Sequence, residues 1–240
     1  MDCHIFGKDN YLIAREGNRY YIMNVSSAQY SSRGRGSELT FKLLKLTEAN
    51  VSEYLPVIYR WAADETEKEY HTCRPIEDME DYDVYREKFR VRLNQRQLHY
   101  VIIDLEDREM AGKINLFDYN PRNRSGEFGY YVPPFHRKKG VGRKMIGLFL
   151  EEIFHDENLN LNKVYATTAS CNKPSIRLLE SFHFKLEGTY REHYWFCDGS
   201  ICDQYHYSLL RREFEEMTKL SVIDEGVPNR AIRYNDRIKS

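Results

Sequence analysis

Residues 133–144 are Pro133-Pro134-Phe135-His136-Arg137-Lys138-Lys139-Gly140-Val141-Gly142-Arg143-Lys144. They join a predicted strand to a predicted amphipathic helix. The apolar face of that helix is formed by Val141, Met145, Leu148, Phe149 and Ile153. The first turn of a helix leaves backbone N–H groups without intrahelical partners and carries the positive end of the helix dipole. Glycines at 140 and 142 let an anionic group approach this backbone closely. The stretch therefore predicts a phosphate-binding turn.

Basic side chains surround this turn. They are Arg137, Lys138, Lys139, Arg143 and Lys144, in a chain whose formal net charge is -1. Such a local excess suits a ligand with a diphosphate and a further phosphate group. A helix start with a solvated basic face is the alternative that this segment alone leaves open. A dinucleotide-binding turn is not indicated, because Met145 stands where a third glycine is required, and no Gly-Lys-Ser/Thr follows as in a Walker loop.

The elements around the turn predict a mixed sheet. Before it, strands at 99–104, 110–119 and 126–132 follow one another through short turns, as antiparallel neighbours do. After it come a helix over 140–154, a strand over 163–169, a helix over 174–181, and strands at 185–194 and 203–210. A strand, a helix and a second strand in this order imply one parallel crossover. With a strand at 39–44 and helices at 51–62 and 77–97, the fold class is α/β (α+β), with a mainly antiparallel sheet flanked by helices.

The 240 residues favour one domain with terminal extensions. Two apolar stretches within 11–25 predict a hairpin, and residues 26–37 are rich in Ser, Gly and Arg, as linkers are. We therefore divide the chain into a hairpin and linker at 1–36, the main domain at 37–212, and a helix end with a polar tail at 213–240.

Composition argues against several partners and sites. A near-neutral chain has no global attraction to nucleic acid, and no stretch is apolar over the length of a membrane span. The cysteines are scattered without a C-x-x-C pair, which argues against a disulfide framework or a zinc site, and the histidines do not cluster at metal-ligand spacing. The first residues lack the apolar run of a signal peptide. We expect a cytoplasmic monomer or homodimer without a metal.

Two motifs resemble those of the GNAT superfamily of N-acetyltransferases. Arg137-x-x-Gly140-x-Gly142 resembles its Arg/Gln-x-x-Gly-x-Gly/Ala signature. The segment Asn172-Lys173-Pro174-Ser175 with the following Phe184-Lys185-Leu186-Glu187-Gly188 is similar to a second conserved block, and most similar to the branch of ribosomal-protein N-terminal acetyltransferases. The resemblance covers roughly residues 37–212. It implies acetyl-CoA as the donor and a central parallel strand pair that splays apart.

The resemblance also assigns residues to the cofactor. The implied cofactor-binding residues are Tyr131, Val132, Arg137, Lys138, Lys139, Gly140, Val141, Gly142, Arg143, Asn172 and Ser175. Asn172 would bind the pantetheine arm, although a plain helix N-cap explains it equally well. Ser175 could donate to the sulfur. Two departures stand out: Leu179 replaces the tyrosine that protonates the thiolate in many members, and His183 replaces a glycine, so we expect a slightly different turn before Phe184.

Acyl transfer from a thioester to an amine requires a base and a hydrogen-bond donor for the developing oxyanion. Glu127 is the first candidate for the base, because alternation along 126–132 separates Glu127, Gly129 and Tyr131 from Phe128, Tyr130 and Val132. A solvent-facing glutamate or a pair with Arg124 is the alternative. The second-choice bases are Glu192 and His193. A covalent role for Cys171 is disfavoured, because a cysteine that closes a strand is usually packed and inert.

Nine acidic residues lie between Asp64 and Asp83, against Lys68 and Arg74. An acidic rim would concentrate a cationic amine, and a solvated helix face is the alternative. The predicted acceptor is a protein N-terminal α-amine, because its pKa of about 7.7 to 8.0 demands less of a base than a lysine. The alternatives are a small polycationic amine (a polyamine or an aminoglycoside) and a non-catalytic acyl-CoA-binding module.

Overall fold

The computed structural model describes residues 11–16, 19–24, 41–64, 68–72, 74, 76, 78–95, 97–106 and 108–225. Backbone contacts divide the chain into two units, Met1–Glu38 and Leu39–Ser240. In the first unit, β1 (Tyr11–Glu16) and β2 (Arg19–Asn24) form an antiparallel hairpin, in line with the two apolar stretches of the sequence. The predicted linker and the end of the polar tail lie outside the described residues.

The second unit is built on a seven-stranded sheet. Its strands are β3 (Phe41–Lys45), β4 (Leu98–Asp104), β5 (Met110–Asn120), β6 (Ser125–Tyr131), β7 (Lys163–Ala169), β8 (Lys185–Trp195) and β9 (Ile201–Leu210). They are arranged in the order β3-β4-β5-β6-β7-β9-β8, and every neighbouring pair is antiparallel except β6 and β7. The predicted mixed sheet is confirmed.

Six helices accompany this sheet in the described part of the chain. They are α1 (Val51–Asp64), α2 (Lys68–His71), α3 (Tyr82–Asn94), α4 (Val141–His155), α5 (Lys173–Glu180) and α6 (Arg211–Glu225). A 3₁₀ turn, Pro134–His136, precedes α4. The predicted start of the second helix at 77 is wrong, because the Asp81 side chain accepts the Asp83 N–H at 2.9 Å and caps the helix there.

Apolar side chains pack on both faces of the sheet. Met145, Phe149 and Ile153 of α4 are fully buried in a cluster with Tyr100 and Ile102 of β4. Successive residues of a strand point to opposite faces. Val101 therefore lies in a second cluster, with Leu55 and Trp61 of α1 and Phe89 of α3. A central strand that is buried on both sides fixes the sheet between two helical layers.

The last helix continues past the predicted boundary at 212. Phe214 of α6 is buried in the larger cluster, where its ring lies 5.2 Å from that of Phe154 at the end of α4. Leu210 N–H donates to the Glu213 carboxylate at 3.1 Å, so the end of β9 and the start of α6 are joined locally.

The parallel pair β6–β7 is short. It pairs only Ser125 with Lys163, Gly126 with Val164, and Glu127 with Tyr165. Beyond Glu127 the two strands separate, while β7 remains paired with β9 as far as Ala169. The separation opens the centre of the sheet beside the start of α4.

Candidate active site

A cavity of about 660 Å³ occupies the gap between the separated ends of β6 and β7. It is lined by segments 128–132, 136–138, 140–143 and 166–168, and by Cys171, Asn172, Pro174, Ser175, Arg177, Leu178 and Tyr194. The cavity therefore joins the predicted phosphate-binding turn to the open end of the sheet. All the predicted cofactor-binding residues line it except Lys139.

Gly140 shapes the turn that begins α4. Its φ is +79°, a left-handed conformation that glycine adopts without strain. The Lys144 N–H donates to the Gly140 carbonyl at 3.0 Å and closes the first helical turn. The backbone N–H groups of Val141, Gly142 and Arg143 therefore have no intrahelical acceptor and point out of the helix start beside the cavity.

Gly142 is constrained by packing as well. A Cβ at this position would lie 3.1 Å from Cδ2 of Leu178 on α5. The sequence suggested only that phosphates need this space. The structure adds a second reason, which is the close approach of α5 to the first turn of α4.

Basic side chains on the turn are held in different ways. The Arg137 Nε donates to the Val132 carbonyl at 3.0 Å, which ties the turn to the end of β6. The Arg143 guanidinium lies 5.6 Å from the centre of the Phe182 ring. Lys138 and Lys139 are exposed, and Lys138 has a positive φ of 61°. Arg137 is thus fixed by a backbone hydrogen bond, whereas Lys138, Lys139, Arg143 and Lys144 are exposed.

His136, which the sequence did not single out, is a buried residue that lines the cavity. Its side chain is buried, and its Nε2 has no hydrogen-bond partner among the described residues. A buried polar atom without a partner costs free energy unless a ligand or water satisfies it. The histidine thus favours a polar ligand at this point.

The start of α5 brings three polar side chains together at the cavity. The Asn172 Oδ1 accepts the Ser175 N–H at 3.3 Å and caps the helix. The Ser175 Oγ lies 2.9 Å from the phenol oxygen of Tyr130 on β6. Burial raises the pKa of Tyr130 to about 12, so the phenol keeps its proton at neutral pH. Leu179, which stands where many members of the resembled family have a tyrosine, lies one turn later on α5 and is fully buried.

Glu127 stands at the last position of β6 that pairs with β7. Its Oε1 accepts a hydrogen bond from the Thr167 hydroxyl at 2.8 Å, and Thr167 lines the cavity. Burial raises the pKa of Glu127, and the Thr167 hydrogen bond and the charge of Arg74 oppose that rise. The predicted alternative of a pair with Arg124 is not observed, because Arg124 contacts the Asn160 side chain instead. Glu127 has no ion-pair partner within the described residues.

Other candidates are placed away from the cavity or differ from expectation. Glu192 and His193 are exposed on β8 and do not line the cavity. Cys171 does line it, and the expectation of a packed cysteine is wrong because the residue is exposed. Burial and contact with the Cys202 thiol raise the pKa of Cys171, which disfavours the reactive thiolate.

The acidic stretch before and within α3 is partly neutralised. Glu80 pairs with Lys88, and Asp83 pairs with Arg86 at 2.7 Å. Glu69 on α2 accepts the Cys197 backbone N–H at 2.8 Å. Glu65, Glu67 and Glu77 lie outside the described residues.

His183 adopts a φ of +60° before Phe184. This is the left-handed conformation that a glycine would provide, so the histidine accepts the strain of the turn. The expected slight difference from a glycine turn stays a prediction.

A cavity at splayed central strands, joined to a helix start that can bind phosphates, defines the class of acyltransferases that use coenzyme A thioesters. The family model for the acetyltransferase (GNAT) domain matches residues 44–185. The chain belongs to this family of GNAT acetyltransferases.

Individual relatives agree with this assignment. The prophage-derived N-acetyltransferase YokL of Bacillus subtilis is 34% identical over 132 residues, which cover 54% of this chain and 71% of that protein. The putative ribosomal N-acetyltransferase YdaF of the same organism is 33% identical over 115 residues, which cover 46% and 59%. The crystal structure of spermidine N-acetyltransferase from Vibrio cholerae with CoA and spermine has a TM-score of 0.62 at 24% identity, covering 73% of this chain and 98% of that one.

Acetyl-CoA is the donor used by the family. The residues present fit it: the glycine turn and its cations suit the phosphates, and the buried His136 and the Asn172–Ser175 pair offer polar atoms along the cavity. Within the described residues, no group of three or more His, Cys, Asp or Glu side chains is arranged to hold a metal ion. No described helix has the length and apolarity needed to cross a membrane.

Proposed function

We propose that the chain acetylates a single α-amino group, such as a protein N-terminus of the ribosomal-protein type, and that Glu127 is the base. One observation carries this proposal: a carboxylate without an ion-pair partner among the described residues stands where β6 and β7 separate. Within the acidic stretch at 64–83, Glu80 and Asp83 are paired with the basic side chains of Lys88 and Arg86. A single carboxylate at that gap suits a monocation better than a polycation.

The proton balance supports an α-amine. An α-ammonium has a pKa of about 7.7 to 8.0, whereas that of lysine is about 10.4. Burial raises the pKa of Glu127 and brings it closer to that of the amine. A base whose pKa lies nearer to that of the acid accepts the proton more readily.

The donor side of the cavity is formed by this chain's own groups. Bound acetyl-CoA supplies an activated acetyl thioester. The N–H groups at the start of α4, with Arg137, Lys138, Lys139 and Arg143, would hold its phosphates. The Asn172 side chain and the backbone near Tyr131 and Val132 would orient the acyl end.

Protons must move at both ends of the reaction. Glu127 takes the proton that the amine nitrogen loses, and Ser175 supplies the proton with which the thiol departs. In this proposal Tyr130 supports the serine: the contact permits either hydroxyl as the donor, and we assign the donor role to the phenol because it is the more acidic hydroxyl. This leaves the serine hydrogen directed elsewhere, and the cavity is the open direction. The Tyr130–Ser175 pair thus replaces the tyrosine that is absent at Leu179.

Polyamine acetylation is the second candidate. It is favoured by the fold likeness to the spermidine acetyltransferase from Vibrio cholerae and by Asp118, which stands near Glu127 but is paired with Arg74 at 3.1 Å. A polyamine would have to compete with Arg74 for that carboxylate.

A thiol-release assay with acetyl-CoA tests the function. We expect turnover with peptides that carry a free N-terminus and none with the same peptides after N-terminal acetylation. Faster turnover with spermidine than with every peptide would favour the second candidate. Binding of acetyl-CoA without turnover on either class would contradict the proposed catalysis and favour an acyl-CoA sensor.

Tyr130→Phe is expected to lower kcat by about tenfold and to leave the KM for acetyl-CoA unchanged, because only the orientation of the Ser175 hydroxyl is lost. The same change in a Ser175→Ala background should have less than about a twofold effect, since coupled residues are not additive. Steady-state kinetics of the four proteins checks this. Equal losses in both backgrounds would refute the coupling. Tyr119→Phe, which removes a phenol bonded to the Leu159 carbonyl at 2.6 Å, is the matched control.

Thr167→Val is expected to move the acidic limb of the kcat/KM profile to higher pH. The hydroxyl bonds to the Glu127 carboxylate and lowers the pKa of Glu127, so its removal lets that pKa rise further. As the pH falls, the deprotonated, basic form of Glu127 is then lost at a higher pH than in the wild type. A pH profile from pH 5 to 9 measures the shift. An unchanged limb would show that Glu127 does not control it.

A further inference from the structure

Cys171 and Cys202 are brought together at the end of the β7–β9 pair. The pairing of β7 with β9 ends with Ala169 opposite Gln204, and the Ser170 N–H then donates to the Asp203 carbonyl at 2.8 Å. Ser170 and Cys171 form the turn that follows β7, and this turn brings Cys171 beside Cys202 of β9. Their sulfur atoms are 3.4 Å apart.

This placement leaves little movement for a disulfide to form. The two sulfur atoms are already in contact at 3.4 Å. Disulfides span Cα separations of about 4.4 to 6.8 Å and require sulfur atoms about 2.05 Å apart. Rotation of the two side chains therefore closes the remaining distance without a change of strand pairing.

The pair is accessible to a small oxidant. Cys171 is exposed and lines the cavity, and Cys202 is partly exposed. Both thiols are free. The third described cysteine, Cys197, donates its backbone N–H to the Glu69 carboxylate at 2.8 Å.

We propose that Cys171 and Cys202 form a modification site, at which a hydroperoxide converts the two thiols into a reversible disulfide. The thiolate of one cysteine attacks the peroxide oxygen, which gives a sulfenic acid and releases an alcohol or water. The second thiol then attacks that sulfur, the S–S bond forms, and water leaves. The two sulfur atoms are oxidised by two electrons in total, and the peroxide is reduced by the same two.

The cross-link has a local consequence. It ties Cys171, the residue before the α5 cap Asn172, to β9. It also closes a loop of about 30 residues, which restricts the unfolded chain. A disulfide on a loop of that size raises the Tm of a domain by several degrees, about 5 °C or more. The raised pKa of Cys171 means that the oxidation accelerates as the pH is increased from 7 to 9.

The test uses the full chain with Cys3, Cys73 and Cys197 replaced by serine, so that Cys171 and Cys202 are the two remaining thiols. Replacement of Cys197 also matters because Cys197 and Cys202 share one tryptic peptide. After treatment with one equivalent of hydrogen peroxide, we expect a mass about 2 Da lower, the loss of both free thiols, and a linked pair of peptides that dithiothreitol separates. The added Cys202→Ser change should instead leave a Cys171 sulfenic acid that dimedone traps. Sulfinic acid at Cys171 without the cross-link, or two free thiols after treatment, would overturn the inference.

A second arm separates this inference from the proposed cofactor site. Because Cys171 lines the cavity, saturating CoA should slow the oxidation several-fold. The Cys202→Ser protein, in which the replaced residue does not line the cavity and the cross-link cannot form, is the control for this arm. Cross-linking without protection by CoA would support the disulfide and contradict the assignment of this cavity to the cofactor. Protection together with cross-linking supports both.

Discussion

Glu127→Gln is expected to lower kcat by about 100-fold to 1,000-fold, the usual contribution of a general base. Glutamine keeps the size of the side chain and can still accept the Thr167 hydrogen bond, but it cannot take a proton from the amine. Acetyl-CoA affinity should be unchanged, because Glu127 does not line the cavity. Steady-state kinetics and calorimetry with CoA measure the two quantities separately.

Glu192→Gln is the matched control for this variant. Glu192 is an exposed carboxylate on β8, so its loss should change kcat by less than about twofold. If the Glu192 variant were impaired and the Glu127 variant were not, the base would lie on β8, and the assignment of Glu127 would be wrong.

Gly142→Glu is expected to weaken acetyl-CoA binding by at least about 100-fold. The new Cβ lies 3.1 Å from Cδ2 of Leu178. The new carboxylate lies at the first turn of α4, where a phosphate would otherwise accept hydrogen bonds from the backbone N–H groups. Two negative groups that compete for one anion site repel each other. Calorimetry with CoA on the folded variant measures the loss.

Two controls separate charge from packing. Gly142→Gln introduces the same bulk without the charge, so binding should be intermediate between that of the wild type and that of Gly142→Glu. Gly147→Ala lies on the same helix, where a Cβ would make an ordinary contact of 3.7 Å with Phe182, and should bind CoA normally. Wild-type affinity in Gly142→Glu, with an unchanged Tm, would remove the start of α4 from the cofactor site.

The helix start at Gly140 and the mixed sheet could be predicted because local rules determine them. The helix that follows Gly140 has a continuous apolar stripe, and the strands are separated by short turns, so periodicity alone places them. The resemblance then located Asn172, Ser175 and the glycines along one cavity. These predictions needed no knowledge of which distant residues touch.

The remaining parts depend on contacts between distant segments. The pairs Tyr130–Ser175 and Thr167–Glu127 are separated by 45 and 40 residues, and no local pattern connects them. The meeting of Cys171 with Cys202 depends on the register of β7 against β9. The start of α3 was misplaced because helical spacing continues upstream of Asp81, whereas the cap decides where the helix begins.

The pairing of β6 with β7 over only three positions has a mechanical consequence for this enzyme. Few backbone hydrogen bonds hold the four strands on one side of the sheet to the three on the other. A ligand bound between the separated ends of β6 and β7 therefore adds contacts that connect the two halves. Because it binds the folded chain alone, it also adds resistance to unfolding that grows with its concentration. The rigidity of the sheet thereby increases with ligand occupancy, and the saturated enzyme is more rigid than the empty one.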